Sequence, residues 1–235
     1  MMTAVHEQRF DTAAALQQAL LAWSIKCIEQ DLRERSAISL LLSGGRTPIP
    51  FYCWLSQTDL PWQRIQLALV DERWVPVEDG ASNEGAIRAA FFDNSTALAQ
   101  LVAMKTTAAH AVNAVAECND CYATLAWPPT LAVLGMGADG HTASLFAGAH
   151  GYEAALTSTA FCAAIEAKPS AVTGACTERM TLTLNALLQS RRIALLISGD
   201  DKWQVYRKAL AAENPALPVS MVLRRAAAVE VFWSP

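Results

Sequence analysis

The chain has 235 residues, of which 53% are apolar and 17% charged, and its formal charge at pH 7 is −4. This length suits one α/β domain with a full core, so we expect a single domain over residues 1–235. The lack of a basic surplus argues against nucleic acid as a partner. No run reaches the roughly 18 apolar residues of a membrane helix, and the N-terminus lacks a signal-peptide core, so we expect a cytoplasmic protein without a membrane partner.

Hydrophobic periodicity predicts alternating helices and strands. The clearest helix covers residues 11–35, with Leu16 and Leu20 on its apolar stripe and Thr12 able to cap its start. We interpret the charges at residues 29–35 as a solvent-exposed face. Apolar runs follow at residues 38–42, 65–70, 101–104, 131–134, 160–165, 179–184, 191–198 and 229–233, and helical patterns at residues 82–92, 108–126 and from 202 onward. This order predicts an α/β fold with a mostly parallel sheet and helices on both faces.

A glycine turn follows the apolar run at residues 38–42 without a spacer. Residues 43–48 read Ser-Gly-Gly-Arg-Thr-Pro, in which Thr47 suits a helix N-cap and Pro48 the first helical position, so a helix should begin here. Amides at a helix N-terminus bind anions, and the Arg46 guanidinium suits phosphate. The pattern favours a phosphate site, with a plain strand-to-helix turn as the alternative.

Charged side chains follow the next predicted strand, at residues 65–70. Asp71, Glu72 and Arg73 stand where that strand ends, and ligands of α/β proteins bind at this edge of the sheet. The alternative is a charged surface loop. Ser82 can cap the helix that comes next.

The most informative stretch is residues 131–148, where an apolar strand leads into a turn and a short helical run at residues 142–146. His141 lies just past the strand, two residues after Asp139. An imidazole exchanges protons near neutral pH because its ordinary pKa is about 6.5. The stretch therefore contains our candidate for a general base.

The same turn spells the dinucleotide fingerprint G-x-G-x-x-G with its glycines at 135, 137 and 140. A nucleotide site also requires a helix of about a dozen residues and an acid about 20 residues on. Here glycines at 148 and 151 interrupt the helical run, and the acids at 153 and 166 come too early and too late. A nucleotide cofactor is therefore disfavoured.

The six cysteines are not spaced as a disulfide framework. Cys118 and Cys121 form one C-x-x-C, but a zinc site needs a second pair or a nearby histidine. We interpret both as ordinary thiols on a helix and expect no metal.

Two further cations complete the set of polar clusters. Lys202 follows Gly199-Asp-Asp, and a lysine at a helix N-terminus opposes the helix dipole, which suggests that it faces an anion. Arg179 is the first residue of the segment 179–184, in which apolar positions alternate. Because parallel strands end at one edge of a sheet, a phosphate cradle, acids, a base and cations should meet there, as a small phosphorylated substrate would require.

These segments resemble, in order, the motifs of the 6-phosphogluconolactonase family, part of the wider glucosamine-6-phosphate isomerase/deaminase group. The resemblance spans nearly the whole chain and rests on Ser43-Gly-Gly-Arg-Thr-Pro48, Asp71-Glu-Arg-Trp-Val-Pro76 with Ser82-Asn83, Gly135-Met-Gly-Ala-Asp-Gly-His-Thr-Ala-Ser-Leu-Phe146 and Arg179-Met-Thr. Pro-Pro-His commonly precedes the arginine in that family, whereas Ala175-Cys-Thr-Glu178 precedes it here. The implied fold is a single modified Rossmann-like domain of the isomerase/deaminase type.

The resemblance implies hydrolysis of 6-phospho-D-glucono-1,5-lactone to 6-phospho-D-gluconate in the oxidative pentose phosphate pathway, without metal or cofactor. His141 would act as general base and Asp139 would orient it. Substrate contacts are expected from Asp71, Arg73 and Asn83, and the oxyanion donors would be amides near Gly137 or the Arg73 guanidinium. The phosphate-binding residues would be Ser43, Gly44, Gly45, Arg46, Thr47, Arg179 and Lys202. The expected partner is the lactone alone, bound by a monomer or weak homodimer.

Two rival functions remain open. An amino-sugar-phosphate isomerase/deaminase usually follows Asp-Gly-His with Ile-Ala-Phe-Asn-Glu, whereas residues 142–146 here read Thr-Ala-Ser-Leu-Phe and lack that glutamate. A non-catalytic sugar-phosphate sensor could keep residues 43–47 and dispense with His141. Because the chain retains both, an enzyme is favoured.

Overall fold

The computed structural model describes residues 4–92, 99–170 and 172–235. The strands in these ranges are β1 (Ala4–Arg9), β2 (Ile38–Leu42), β3 (Ile65–Leu69), β4 (Asp71–Arg73), β5 (Gln100–Val102), β6 (Leu131–Gly135), β7 (Cys162–Glu166), β8 (Glu178–Leu182), β9 (Ile193–Ser198) and β10 (Ala228–Ser234). Seven of them form a sheet in the order β1-β10-β9-β6-β2-β3-β5, and each neighbouring pair runs parallel. The predicted α/β class with a mostly parallel sheet is confirmed.

Helices separate most of these strands along the chain, although β4 follows β3 directly and β8 follows β7 directly. They are α1 (Ala13–Glu34), α2 (Ile49–Leu55), α3 (Asn83–Phe91), α4 (Ala111–Ala123), α5 (Tyr152–Thr157), α6 (Leu184–Leu188), α7 (Asp200–Ala211) and α8 (Val219–Arg225). The longest, α1, packs on β10, β2 and β6, while α7 packs on β9. No helix in the described ranges is both long and apolar enough to span a membrane.

The composition of the central strands explains their position. All five side chains of β2 are buried, and so are the first five of β9. Such continuous apolar runs are typical of parallel strands covered on both faces. As predicted, Thr12 caps α1 by accepting a hydrogen bond from the amide of Ala15 at 3.2 Å, and Leu16 and Leu20 lie in the core.

A smaller antiparallel sheet, in the order β4-β8-β7, lies outside the main one. In it, Asp71 is opposite Thr181 and Arg73 is opposite Arg179. The sequence predicted residues 71–73 only as a polar cluster after β3. The structure makes them a strand of their own, which fixes the backbone of both Asp71 and Arg73 through pairing with β8.

Two predicted helix features are wrong. The helix after the glycine turn at residues 43–48 begins at Ile49 behind Pro48, without a side-chain cap, so Thr47 belongs to the turn. Residues 142–146 form a tight turn instead of a helix, with a bridge between Thr142 and Leu145 and a φ of 48° at Ala143. A residue in the left-handed region cannot be part of a right-handed helix, so no helix forms across Ala143.

Two parts of the chain have a different role from the one predicted. Residues 4–9 form the edge strand β1, which the sequence analysis did not predict because its mostly polar, partly exposed side chains give no apolar signal. Asp31 was assigned to a solvent-exposed face but is fully buried. It accepts hydrogen bonds from Thr130 at 2.7 Å and from the Arg192 guanidinium at 3.1 Å.

Candidate active site

A cavity of about 430 Å³ opens at the carboxyl ends of the central strands. It is lined by the segments that follow β2, β3, β6 and β9, which are the four places where the sequence has polar clusters. The predicted site residues on its wall are Ser43, Gly44, Gly45, Arg46, Thr47, Asp71, Arg73, Asn83, His141 and Lys202. The fold therefore assembles distant parts of the chain into one site, in the position expected for a parallel sheet.

His141 lines this cavity and forms a hydrogen-bonded pair with Asp139, which is not itself on the cavity wall. The ring Nδ1 donates to Asp139 Oδ1 over 2.5 Å, and the backbone amide of His141 donates to the same oxygen over 3.2 Å. The imidazole also packs on the ring of Phe146, with 4.4 Å between centroids. Because Nδ1 is occupied, Nε2 is the nitrogen left to exchange protons with a ligand.

The electrostatics of the pair keep Asp139 ionised. Partial burial alone would raise the pKa of Asp139, but the hydrogen bond from His141 and the charge of that ring outweigh burial and lower it. An ionised carboxylate at Nδ1 holds the ring in one tautomer and stabilises the imidazolium that forms when Nε2 takes a proton.

Gly137 gives the pair its room. A Cβ on this residue would lie 2.1 Å from both Cε1 and Nδ1 of His141 and 2.5 Å from Asp139 Oδ1. Any side chain here would displace the imidazole and its carboxylate together. The central glycine of the G-x-G-x-x-G pattern, Gly137, is therefore required by the packing of His141 and Asp139. Residues 142–146 also lack the helix that a nucleotide site needs.

The turn at residues 43–47 is held from behind by two side chains. Tyr52 donates its hydroxyl proton to the carbonyl of Ser43 at 2.8 Å, and the Gln17 amide donates to the carbonyl of Thr47 at 2.6 Å. The carbonyls at both ends of the turn therefore accept hydrogen bonds from side chains of the protein. Gly45 has a backbone φ of 89°, which residues other than glycine rarely adopt. Arg46 is exposed and lies on the cavity wall.

Asp71 is 8% exposed and fixed from both sides. Ser144 donates its hydroxyl proton to Oδ2 at 2.5 Å, while the Asn83 side-chain amide donates to the Asp71 carbonyl at 2.8 Å and, more weakly, to Oδ1 at 3.4 Å. Asn83 also lies against the turn at residues 43–47, because a Cβ on Gly44 would lie 1.8 Å from Asn83 Oδ1. Asn83 thus connects the acid to the turn.

Glu72 is a buried carboxylate behind the cavity wall. It is fully buried and accepts four hydrogen bonds: from the amides of Arg73, Asn83 and Glu84, each at 2.7 Å, and from the Ser82 hydroxyl at 3.0 Å. Burial raises the pKa of Glu72 more than these bonds lower it. The sequence analysis placed Glu72 among charges at the sheet edge, but its contacts are with the start of α3.

Arg73 and Lys202 are the cations on the wall beside the acids. Arg73 donates from Nη1 to the Ala81 carbonyl at 2.6 Å, and its buried Nε has no hydrogen-bond partner among the described residues. Lys202 lies in the first turn of α7 and makes no hydrogen bond or ion pair with any described residue. Both therefore keep donors for a ligand.

Arg179 is placed differently from the other predicted phosphate ligands. It is 4% exposed, is absent from the cavity wall, and donates to the carbonyls of Cys176 at 2.7 Å and Thr173 at 2.8 Å. Burial lowers the pKa of its guanidinium, against the charge of nearby Asp71. In this structure Arg179 secures the loop before β8, and its contact with phosphate stays a prediction.

No group of three His, Cys, Asp or Glu side chains in the described ranges is arranged to hold a metal ion. Cys118 donates its thiol proton to the Met104 carbonyl at 3.0 Å inside the core. Burial raises its pKa to about 12, which keeps it a thiol.

A glycine turn before a helix, a histidine hydrogen-bonded to a carboxylate, and cations at the edge of a parallel sheet are typical of α/β proteins that bind small phosphorylated compounds. Comparison with known proteins gives the family. Residues 11–233 match the family model "Glucosamine-6-phosphate isomerases/6-phosphogluconolactonase". The chain therefore belongs to the glucosamine-6-phosphate isomerase/6-phosphogluconolactonase family.

Individual relatives cover almost the full length. The chain is 34% identical to a 6-phosphogluconolactonase of Rhizobium meliloti over 96% of this chain and 97% of the relative, and 35% identical to one of Neisseria meningitidis serogroup A over 91% and 92%. A crystal structure of a 6-phosphogluconolactonase from Shewanella baltica superposes with a TM-score of 0.91 at 34% identity, covering 99% and 98% of the two chains. A monomeric glucosamine-6-phosphate deaminase shares the fold, with a TM-score of 0.78 at 19% identity.

Proposed function

We propose that this protein hydrolyses 6-phospho-D-glucono-1,5-lactone to 6-phospho-D-gluconate, in the oxidative pentose phosphate pathway. The similar proteins carry that name at 34–35% identity over nearly their whole length. The observation that carries the assignment to this site is the Asp139–His141 pair beside an anion-binding turn. A hydrolase needs a base for water next to a point that fixes the substrate, and this cavity offers both.

The first chemical step is attack by water on the lactone carbonyl. Neutral His141 takes a proton from the water through Nε2, and the water oxygen forms the new bond to the carbonyl carbon. Asp139 remains ionised and stabilises the imidazolium through Nδ1. Proton transfer of this kind gives about 10² to 10⁴-fold in rate. The negative charge that develops on the carbonyl oxygen is met by donors on the wall, such as the Arg73 guanidinium or the turn amides near Gly137.

The second step breaks the bond between the carbonyl carbon and the ring oxygen. The imidazolium returns its proton to the ring oxygen, which leaves as a hydroxyl group, and His141 is neutral again. The product is a carboxylic acid that ionises at neutral pH and releases one proton to solvent. The residues at 43–47 and Lys202 hold the 6-phosphate, while Asp71 and Asn83 contact sugar hydroxyls.

An amino-sugar-phosphate isomerase/deaminase is the second candidate. Where that branch usually carries a phenylalanine and a glutamate after Asp-Gly-His, this chain has Ser144 bound to Asp71 and Phe146 packed on His141. Asp71 therefore accepts a hydrogen bond on Oδ2. Position 146, beside the imidazole, holds a phenylalanine and not a second acid. This arrangement favours water activation over ring-opening proton transfer.

Proton release tests the proposal. Freshly made 6-phosphogluconolactone is hydrolysed in weak buffer with the protein and with His141→Ala, and spontaneous hydrolysis is subtracted. We expect the protein to accelerate release and His141→Ala to lose about 10² to 10⁴-fold while still binding 6-phosphogluconate. If neither protein exceeds the background but both bind 6-phosphogluconate, the chain is a sugar-phosphate sensor or an isomerase, and glucosamine 6-phosphate is the next substrate. The cytoplasmic location, the single domain and the monomer or weak homodimer stay predictions.

A further inference from the structure

We infer that Glu72 is a positioning residue that sets the substrate-binding half of the cavity, an inference that rests on the proposed lactonase function. Its carboxylate is absent from the cavity wall, yet each of its four hydrogen bonds goes to the two segments that carry Arg73 and Asn83. It therefore acts on the substrate through these residues.

The geometry of the four bonds is that of a clamp between β4 and α3. Oε1 accepts from the amides of Arg73 and Asn83, and Oε2 accepts from the amide of Glu84 and the Ser82 hydroxyl. Two carboxylate oxygens offer about four acceptor positions, so the group is fully occupied. The first amides of a helix have no partner within the helix, and here a buried side chain from another strand supplies one.

The clamp determines where Asn83 stands. Asn83 is the first residue of α3, is 2% exposed, and bridges from the carbonyl of Asp71 to the surface of Gly44. A movement of the start of α3 would therefore move both the hydroxyl-binding acid and the phosphate turn. His141 and Asp139 lie after β6, and none of the four hydrogen bonds of Glu72 reaches them, so the base should be unaffected.

This separation predicts a split between binding and turnover. In Glu72→Gln one acceptor oxygen is replaced by an amide donor that faces backbone donors, and the start of α3 shifts. We expect KM for the lactone and Kd for 6-phosphogluconate to rise about 10-fold, as uniform loss of binding does, while kcat falls less than about 3-fold. The smaller effect on kcat is expected because His141 is unaffected and the Arg73 guanidinium keeps its own bond to the Ala81 carbonyl. A residue that only stabilises the fold would lower the active fraction, and so kcat, with KM unchanged.

The matched control is Glu84→Gln, which removes the same charge one helical residue after Asn83. The Glu84 side chain is buried, pairs with Arg88 at 2.8 Å and is absent from the cavity wall. Because its carboxylate takes no part in the four bonds of Glu72, we expect its KM and kcat to stay within about 2-fold of the native protein even where its melting temperature falls. Melting temperature is measured for each variant so that folding and binding are read separately.

Each possible result either supports or overturns the role of Glu72. A KM and Kd near native values in folded Glu72→Gln overturn the inference. If Glu72→Gln does not fold, Ser82→Ala takes its place, since it removes one of the four bonds together with the helix cap on the Gly85 amide. A KM rise of about 3-fold supports the fixed start of α3 as the determinant of binding, and an unchanged KM overturns it. If the native protein has no lactonase activity, the proposed function fails, while Kd for 6-phosphogluconate measured by calorimetry still tests Glu72.

Discussion

The two halves of the cavity are built in opposite ways. The half after β6 holds Asp139 and His141, whose side chains are 45% and 19% exposed and are joined by contacts within a five-residue turn. The half around β4 and α3 holds Asp71 and Asn83, which are 8% and 2% exposed and are fixed by partners far along the chain.

This difference matches the work each half would do. A base must meet water and exchange its proton, so it stands at the open side and needs only a short, local frame. A binding surface must keep its shape when a charged substrate arrives, so its donors and acceptors are fixed in advance by buried bonds, which cost more to disturb. The two halves should therefore fail differently when altered.

The largest effect is expected in the open half, from Gly137→Ala. The new Cβ would lie 2.1 Å from His141 Nδ1 and Cε1, so the imidazole must move. We expect kcat to fall about 100-fold, since misplacement by about 1 Å can cost that much, with a normal circular dichroism spectrum. Gly80→Ala is the control because a Cβ there meets nothing within 4 Å. Native kcat in folded Gly137→Ala would contradict the role of His141.

The second effect concerns the contact between the turn at residues 43–47 and Asn83. In Gly44→Ala the new Cβ would lie 1.8 Å from Asn83 Oδ1, and Asn83 cannot yield freely because it is bonded to Asp71. We expect KM to rise about 10-fold, roughly the loss of one hydrogen bond to a charged group. In an Asn83→Ala background the same change should cost little, so the double-mutant cycle is non-additive. Additive effects would show that Gly44 acts independently of Asn83.

The third effect is on stability, in the buried half. Ser144→Ala leaves Asp71 Oδ2 without its 2.5 Å donor, and an unsatisfied buried acceptor costs about 1–3 kcal/mol. In a chain of this size we expect a fall in melting temperature of about 2–10 °C. Ser190→Ala is the control, since that buried hydroxyl has no partner among the described residues and its loss should be close to neutral. Equal melting temperatures for the two variants would mean that Asp71 needs no donor there.

The same contrast explains what the sequence could predict. Asp139 and His141 are separated by one residue, and the strand before them is a clean apolar run, so their proximity and their position at the sheet edge were predictable. Parallel strands with buried side chains also bring residues 43–47 and Lys202 to the same edge, whatever the details of the turns.

The buried half was not predictable because its bonds join residues far apart in the chain. Nothing near Glu72 indicates that it accepts the amide of Asn83, and nothing near Asp71 indicates a hydroxyl from Ser144. Asp31 was wrongly assigned to a solvent-exposed face for the same reason, since its partners lie at Thr130 and Arg192. The local sequence shows that a residue is charged, but whether its side chain is buried depends on partners that lie far away in the chain.

The smallest effect expected is the pH dependence of the Asp139–His141 pair. The pKa of Asp139 is lowered in the folded protein, so the folded state binds fewer protons than the unfolded state in this range. The stabilisation from the ionised carboxylate is therefore present above the ordinary carboxyl pKa of about 3.9 and is lost as the pH falls through the lower folded value.

Asp139→Asn should therefore melt slightly below the native protein at pH 5–7, and the gap should close as the pH falls below about 4. Asp59→Asn, at an exposed acid with no ion pair to a described residue, should show no such closing. Scanning calorimetry between pH 3 and 7 measures both. A gap that widens on acidification would reverse the sign and would mean that Asp139 is protonated in the folded state, in which case it could not stabilise the imidazolium of His141.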